Sequence, residues 1–462
     1  MRFKKLHLEN FRCFQEVDID FHLNQIELDS RDKNLGGLTV LIAQNAEGKT
    51  AILDAINIAL GPFLTKLTKL PDKYPITYED NYRLADGSIS GYAKIDATLL
   101  NPENFVREKK YKDFHVIRYF DGLYKSTKTE DHYHLTNLAK HIFNWENGGD
   151  PWPLIAYYGD QRLWESLSSR YTVVPMLSQD RLAGYQDARK PATGYKRCLQ
   201  WMKELSLTLF GEQKKKEDKD LSYNQDTIDR LQCFMGHMKM ALREIMTPSG
   251  YTEFNFNVSK NELEVWGKKH PVRIEASRLS AGIRIVVGMV SDMVFRCCML
   301  NPLLEDKILE KTPGIVLIDE IELHLHPAWQ QNILPALQKI FPNIQFIVTT
   351  HSPQVISSVP RECVRIISSG KIVNPCIATD GARADQILEE VFCVNARFIG
   401  SPVYKDLIEF QKLLNEDQWD TEQGKELYKK LRQNLPSDPI LAEFDMMIHL
   451  KEYERRNHEE ND

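Results

Sequence analysis

The stretch from Leu38 to Ala59 constrains this chain more than any other. An apolar, strand-like run (Leu38-Thr-Val-Leu-Ile-Ala43) passes into a polar loop (Gln44-Asn-Ala-Glu-Gly-Lys-Thr50) and then into an amphipathic helix. Such a loop turns successive backbone N–H groups inward, and the helix adds its positive N-terminal end, so together they make a cradle for an anion. Gly48, Lys49 and Thr50 complete the end of a G-x-x-x-x-G-K-[ST] pattern. In that pattern the lysine reaches the β- and γ-phosphates of ATP, and the threonine hydroxyl sits on Mg²⁺. Asn45, Glu47, Gly48, Lys49 and Thr50 are therefore the candidate nucleotide contacts. Two positions depart from the pattern: Ala43 stands where the first glycine belongs, and Ala46 follows Asn45. Alanine excludes positive φ and adds a methyl near the ligand, so a reshaped loop or weaker nucleotide binding is expected. The alternative is a strand, turn and helix that carry Gly-Lys-Thr by coincidence.

Composition narrows the class. The 462 residues, 42% hydrophobic and 27% charged, suit a soluble globular chain with two or three cores. A net charge of −6 gives no global reason to bind nucleic acid or an anionic membrane. Eight scattered cysteines form no C-x-x-C pair and read as reduced thiols. The N-terminus lacks an apolar signal core, and no uninterrupted apolar run looks long enough for a bilayer, so a cytoplasmic location is expected.

Along the chain, Phe3–Leu8 and Val17–Phe21 read as an antiparallel strand pair with a corner over Glu9–Arg12, and Tyr92–Leu99 and His115–Phe120 as further strands. His132 and His134 would share one strand face, but no third metal ligand is visible near them. Leu154–Tyr158 is a buried strand whose glycine turn presents Gln161, a candidate for Mg²⁺ and the attacking water; the alternative is a glutamine facing solvent. From Gly194 to Met246 the period becomes helical on both sides of a charged link, Lys214–Asp220, giving an αα-hairpin. The methionines there read as packing residues and the lysines as a solvated tip.

Three later motifs bear chemistry. Leu279-Ser-Ala-Gly282 opens an apolar helix, where the Ser280 hydroxyl and the Gly282 N–H are placed to hold a phosphate. An ordinary serine N-cap is the alternative. Gly314–Ile318 is a buried strand delivering Asp319 and Glu320, a Walker B pattern in which Asp319 holds Mg²⁺ and Glu320 acts as general base. Ile344–Thr350 is another buried strand, and it delivers His351, which is placed to sense the γ-phosphate.

Strand, Asn10-Phe-Arg12, strand and phosphate loop, followed in order by Leu-Ser-x-Gly, Walker B and the histidine, resemble the RecF, SMC and related ABC-type ATPases. The resemblance implies an α/β P-loop ATPase head with a short helical insertion and a C-terminal helical extension. It places Arg12 near the phosphates; an exposed hairpin arginine is the other reading. It also implies a homodimer, or a higher oligomer, in which Ser280 and Gly282 of one copy meet the ATP held by the other. Glu322-Leu-His-Leu-His-Pro327 resembles the loop of RecF-like and overcoming-lysogenisation-defect ATPases, where His324 and His326 carry no metal. The blocks Leu154–Trp164 and Arg181–Tyr185 are similar to those of the PtuA-type ATPases of Septu and retron antiphage systems. That likeness implies a separately encoded HNH endonuclease partner, with DNA reached through the complex. The expected divisions are an N-terminal ATPase lobe (1–165), a helical insertion (166–250), a C-terminal ATPase lobe (251–380) and a helical docking extension (381–462). The rival readings are a genome-maintenance ATPase that binds DNA directly and a nucleotide-binding scaffold with little turnover.

Overall fold

The computed structural model describes residues 1–23, 37–69, 71–72, 74–82, 90–100, 113–121, 126–130, 133–144, 151–159, 181–190 and 195–459. Side chains in β1 (Arg2–Phe11) and β2 (Phe14–Asp20) tend to alternate between buried and exposed, the pattern of a sheet covered on one face. The turn between them falls at Arg12–Cys13 rather than over Glu9–Arg12, because β1 runs on to Phe11 and Asn10 and Arg12 take φ of 50° and 51°. β3 (Gly37–Ala43) is buried along its whole length, as a strand covered on both faces must be, and leads through the loop into α1 (Lys49–Ala59) and α2 (Gly61–Thr68).

β4 (Tyr92–Leu100), β5 (Asp113–Asp121) and β6 (Ser126–Glu130) complete an antiparallel sheet of order β2-β1-β4-β5-β6. β6, Ser-Thr-Lys-Thr-Glu, has no apolar alternation; its ladder with β5 makes it a strand. α3 (Tyr133–Asn144) overturns the strand geometry considered for the two histidines, since His134 lies on a helix; His132 is outside the described residues.

After β7 (Leu154–Tyr158) come α4 (Tyr195–Glu217) and α5 (Gln225–Met246), an antiparallel pair whose Trp201 and Phe234 rings lie 6.0 Å apart. Asn224 caps α5 by accepting the Thr227 N–H at 2.9 Å. A small sheet, β8 (Glu253–Asn257), β9 (Glu262–Trp266) and β10 (Ile274–Glu275), precedes α6 (Ala281–Leu300), which is buried along nearly its full length. Then follow α7 (Ile308–Lys311), β11 (Gly314–Ile318), α8 (Pro327–Gln330), α9 (Ile333–Ile340), β12 (Ile344–Thr349), α10 (Pro353–Ile356), β13 (Val364–Ser368) and β14 (Lys371–Val373).

The second sheet has the order β14-β13-β3-β12-β11-β7 and is parallel except for β14. Buried Gln345 of β12 ties the two sheets together: its Oε1 accepts the Phe3 N–H at 2.7 Å and its Nε2 donates to the Phe3 carbonyl at 2.9 Å. Phe3 adjoins a register shift in the β1–β4 ladder, between Phe3 and Lys5, and its N–H and carbonyl both take the Gln345 amide as a partner.

The run Lys49–Thr68 is long and apolar enough, at mean hydropathy 1.3, to pass for a membrane span. Its most apolar window is 72% buried, however; the run passes from α1 into α2, and α1 packs against β3, β4 and β12 in the core.

The chain forms two compact units, Met1–Ile387 and Leu388–Asp462. α11 (Ala384–Glu390) leads into the second, where α12 (Pro402–Asn415), α13 (Glu422–Asn434) and α14 (Pro439–Glu459) enclose Phe410, Leu414, Trp419, Leu431 and Phe444.

Candidate nucleotide site

Parallel pairing brings the carboxyl ends of β3, β12, β11 and β7 to one edge of the sheet: Ile318 pairs with both Val348 and Tyr158, and Thr349 with Leu41. In open α/β sheets that edge is where ligands bind. The loop after β3 achieves its turn with Ala46 at φ 67° and Gly48 at φ 101°. Alanine thus adopts the left-handed conformation that the sequence argument denied it. Gly48 is required for a second reason: a Cβ there would lie 2.5 Å from Cys13 Sγ and from the Phe14 ring, because the β1–β2 corner presses on the loop.

Lys49 is buried, and its ammonium donates to the carbonyls of Ala43 at 3.1 Å and Gln44 at 3.2 Å. Burial pulls its pKa down, opposed by the charges of Asp319, Glu320, Glu322 and Glu47. The Thr50 hydroxyl donates to Asp319 Oδ2 at 2.8 Å, so the two expected Mg²⁺ ligands, 269 positions apart in the chain, are in direct contact. A hydroxyl and a carboxylate facing each other at a phosphate loop are the hard oxygen donors that Mg²⁺ takes, with water and substrate oxygens filling its other positions. Glu320 follows at φ 46°, with its N–H donated to Thr349 Oγ1 at 2.7 Å.

Arg12 is neither free nor fully exposed. Its Nη1 donates to Asp54 on α1 at 2.6 Å and its Nε to Asp80 at 2.8 Å. Asp54 is also hydrogen-bonded by Tyr157, whose phenol is kept protonated by burial and by the charges of Asp54 and Asp319. The loop's neighbours are thereby braced from the helix side.

Ser280 is the exposed N-cap of α6, and its hydroxyl makes no capping bond. Gly282 is buried, and a Cβ on it would collide with the His324 carbonyl. Among the described residues no hydrogen bond joins Ser280 to Lys49 or Thr50. His326 accepts the Ala328 N–H at 3.3 Å and so caps α8. Asn45 is exposed on the loop and Glu47 half-buried, while Gln161 lies outside the described residues.

Thr349, Thr350 and Glu322 also shape the site, though no sequence motif singles them out. Thr349 Oγ1 donates to Asp319 Oδ1 at 2.5 Å. Glu322 accepts the Thr350 hydroxyl at 2.7 Å and the His351 N–H at 2.5 Å. The available signal was the Thr-Thr pair at the end of β12, Thr349 on the strand and Thr350 just past it, since two fully buried hydroxyls need partners.

The chain is 27% identical over 506 residues to the "Retron Ec83 probable ATPase" of Escherichia coli, an alignment spanning 98% of this chain and 88% of that one. It is 25% identical to the "Retron Vc95 probable ATPase" of Vibrio cholerae, over 89% and 85% of the two chains. A "Septu protein PtuA" of Bacillus mycoides is 26% identical across 76% of this chain and 38% of its own length. Among solved structures, an Smc head domain derived from Pyrococcus furiosus aligns over 85% of this chain and 99% of that one, at 14% identity and a TM-score of 0.46. The family described as "AAA domain, putative AbiEii toxin, Type IV TA system" matches residues 38–357. That match runs from the phosphate-loop strand to just past the histidine and takes in well over half of the sequence, so the chain belongs to this family of AAA ATPases.

Proposed function

We propose that this protein is the ATP-hydrolysing component of an antiphage defence complex, and that two copies close on two ATP molecules and so set the activity of a separately encoded HNH nuclease. The observation that carries the ATPase chemistry is the contact of Thr50 with Asp319 at the sheet edge, beside Lys49 and Glu320. The likeness to retron and Septu proteins supports the defence setting.

In this reading the loop N–H groups and Lys49 bind the triphosphate, with Lys49 exchanging its bonds to the Ala43 and Gln44 carbonyls for phosphate oxygens. Thr50 and Asp319 would hold Mg²⁺, which when bound neutralises charge on the β- and γ-phosphates. Glu320 takes the proton of the attacking water, and His351 contacts the γ-phosphate. Ser280, exposed and without a capping bond, reaches the nucleotide of the second copy. The second unit, where α14 exposes Met446, Leu450 and Tyr453, serves as the docking element for the complex.

The test compares wild type with Glu320→Gln. Turnover is expected to fall by roughly 10²-fold or more while ATP binding is kept. ATP should also hold the variant as a dimer, read by light scattering. A variant that hydrolyses ATP like wild type removes Glu320 from the role of base. Equal monomer populations with and without ATP remove the two-copy site.

A further inference from the structure

The geometry points to Glu322 as a positioning residue that holds the switch histidine, His351, in register with the general base, Glu320. This rests on the roles just proposed for those two residues.

β11 and β12 are neighbours whose ladder reaches Ile318 and Val348. Beyond it the strands give way to loops, and their polar groups lose regular partners. Side chains replace the ladder there, residue by residue. The Ile321 N–H still donates to the Thr349 carbonyl at 3.1 Å. Thr349 Oγ1 works in both directions, accepting the Glu320 N–H at 2.7 Å and donating to Asp319. Next, Glu322 uses one oxygen for the Thr350 hydroxyl and the other for the His351 N–H. One residue further, the Ser352 hydroxyl donates to Gln330 Oε1 at 2.6 Å, while Gln330 Nε2 donates to the Leu325 carbonyl at 2.9 Å.

The acid loop and the switch loop are thus joined at four consecutive positions, 349 to 352. Thr349 and Thr350 are fully buried, so water does not compete for these bonds. A carboxylate that accepts from two donors makes a firmer link than a single bond between neutral groups. Fixing the N–H of His351 fixes the direction in which its side chain leaves the backbone, and Glu322 is the only acceptor the described residues give that N–H. Glu322 itself need not touch nucleotide to act.

The experiment measures kcat, KM, equilibrium binding of a fluorescent ATP analogue and thermal midpoint in Glu322→Gln, Thr350→Val, Thr350→Ser and His351→Ala. Glutamine keeps the size of Glu322 but offers a single acceptor oxygen; valine removes the Thr350 hydroxyl, and serine keeps it. Glu322→Gln and Thr350→Val are expected to lower kcat by about tenfold or more with analogue affinity within about threefold of wild type, and Thr350→Ser to restore most of the turnover lost in Thr350→Val. Combining Glu322→Gln with His351→Ala is expected to add little to the loss seen in His351→Ala alone, because both act through one ring. Wild-type kcat in Glu322→Gln beside an impaired His351→Ala overturns the proposal alone. So does a loss that multiplies with that of His351→Ala, or one matched by a fallen midpoint in Thr350→Ser as well. Wild-type turnover in His351→Ala removes the switch reading beneath it, and the proposal with it.

Discussion

Ala46 carries a cost that the rest of the loop imposes on it. At φ 67° it sits in the left-handed region, which disfavours an L-residue with a Cβ by about 1 kcal/mol or more. Glycine there removes that cost but gains freedom in the unfolded chain, an offset of about 0.4–1 kcal/mol. Ala46→Gly is therefore expected to hold or raise the thermal midpoint, by about 1–2 °C at most, with ATP binding no weaker; a fall would mean that the methyl makes contacts worth more than the strain. Single residues differed in how far the sequence revealed them. Lys49, Thr50 and Asp319 stood out because the phosphate-loop and Walker B patterns specify residue types and spacing, and the structure brings the last two into contact. Arg12 was legible only as a corner residue: its partners Asp54 and Asp80 stand 42 and 68 positions away, a pairing that no local pattern encodes. Glu322 was hidden for the same reason, since its donors arrive on the loop that follows another strand.

Between elements, the least visible feature is the charge network under the two helices that follow the phosphate loop. Arg118 of β5 and Arg189 both bind Asp72, at 2.6 and 2.5 Å, and Arg118 also reaches the Ile58 carbonyl at the end of α1. Burial pushes the Asp72 carboxyl up, but Arg189 and Arg118 outweigh it and hold its pKa below the usual value. Burial lowers Arg189 even with Asp72 beside it, so the network gains little over an apolar contact yet is costly to break. Asp72→Asn leaves two buried cations facing each other, and about 3–5 kcal/mol of stability is expected to go at pH 7. A carboxyl depressed in the folded state stabilises above its unfolded pKa, about 3.9, and loses that contribution as pH falls through the folded value. Urea unfolding of wild type and Asp72→Asn from pH 7 to pH 3 should therefore show a constant gap down to about pH 4 that narrows below it. A gap independent of pH would assign the loss to packing. Parallel strands, by contrast, were easy to read, because β3, β11 and β12 are continuous buried runs. β6 and α3 were not, because a polar edge strand and a mixed helix take their form from their neighbours.

At the scale of the molecule, the ATPase family match ends at residue 357 and the first compact unit at Ile387. Lys49, Thr50, Ser280, Asp319, Glu320 and His351 all belong to that unit. The second unit has a core of its own and a local clamp, Arg397 to Asp438 at 2.6 and 2.8 Å. Nothing in its helices supplies a phosphate loop or an acid pair at a strand end, so ATP chemistry should not need it. A chain ending at Val394, just past α11, is expected to keep a cooperative thermal transition and ATP turnover within about threefold of the full chain, as two independent cores would. Residues 395–462 alone face a harder balance, since a piece of that size buries too small a share of its surface to be more than marginally stable. Circular dichroism should show helix that melts low and broadly. Turnover lost from a well-folded 1–394 fragment would mean that the C-terminal helices act on the ATP site itself, and the division of labour between chemistry and docking would have to be redrawn.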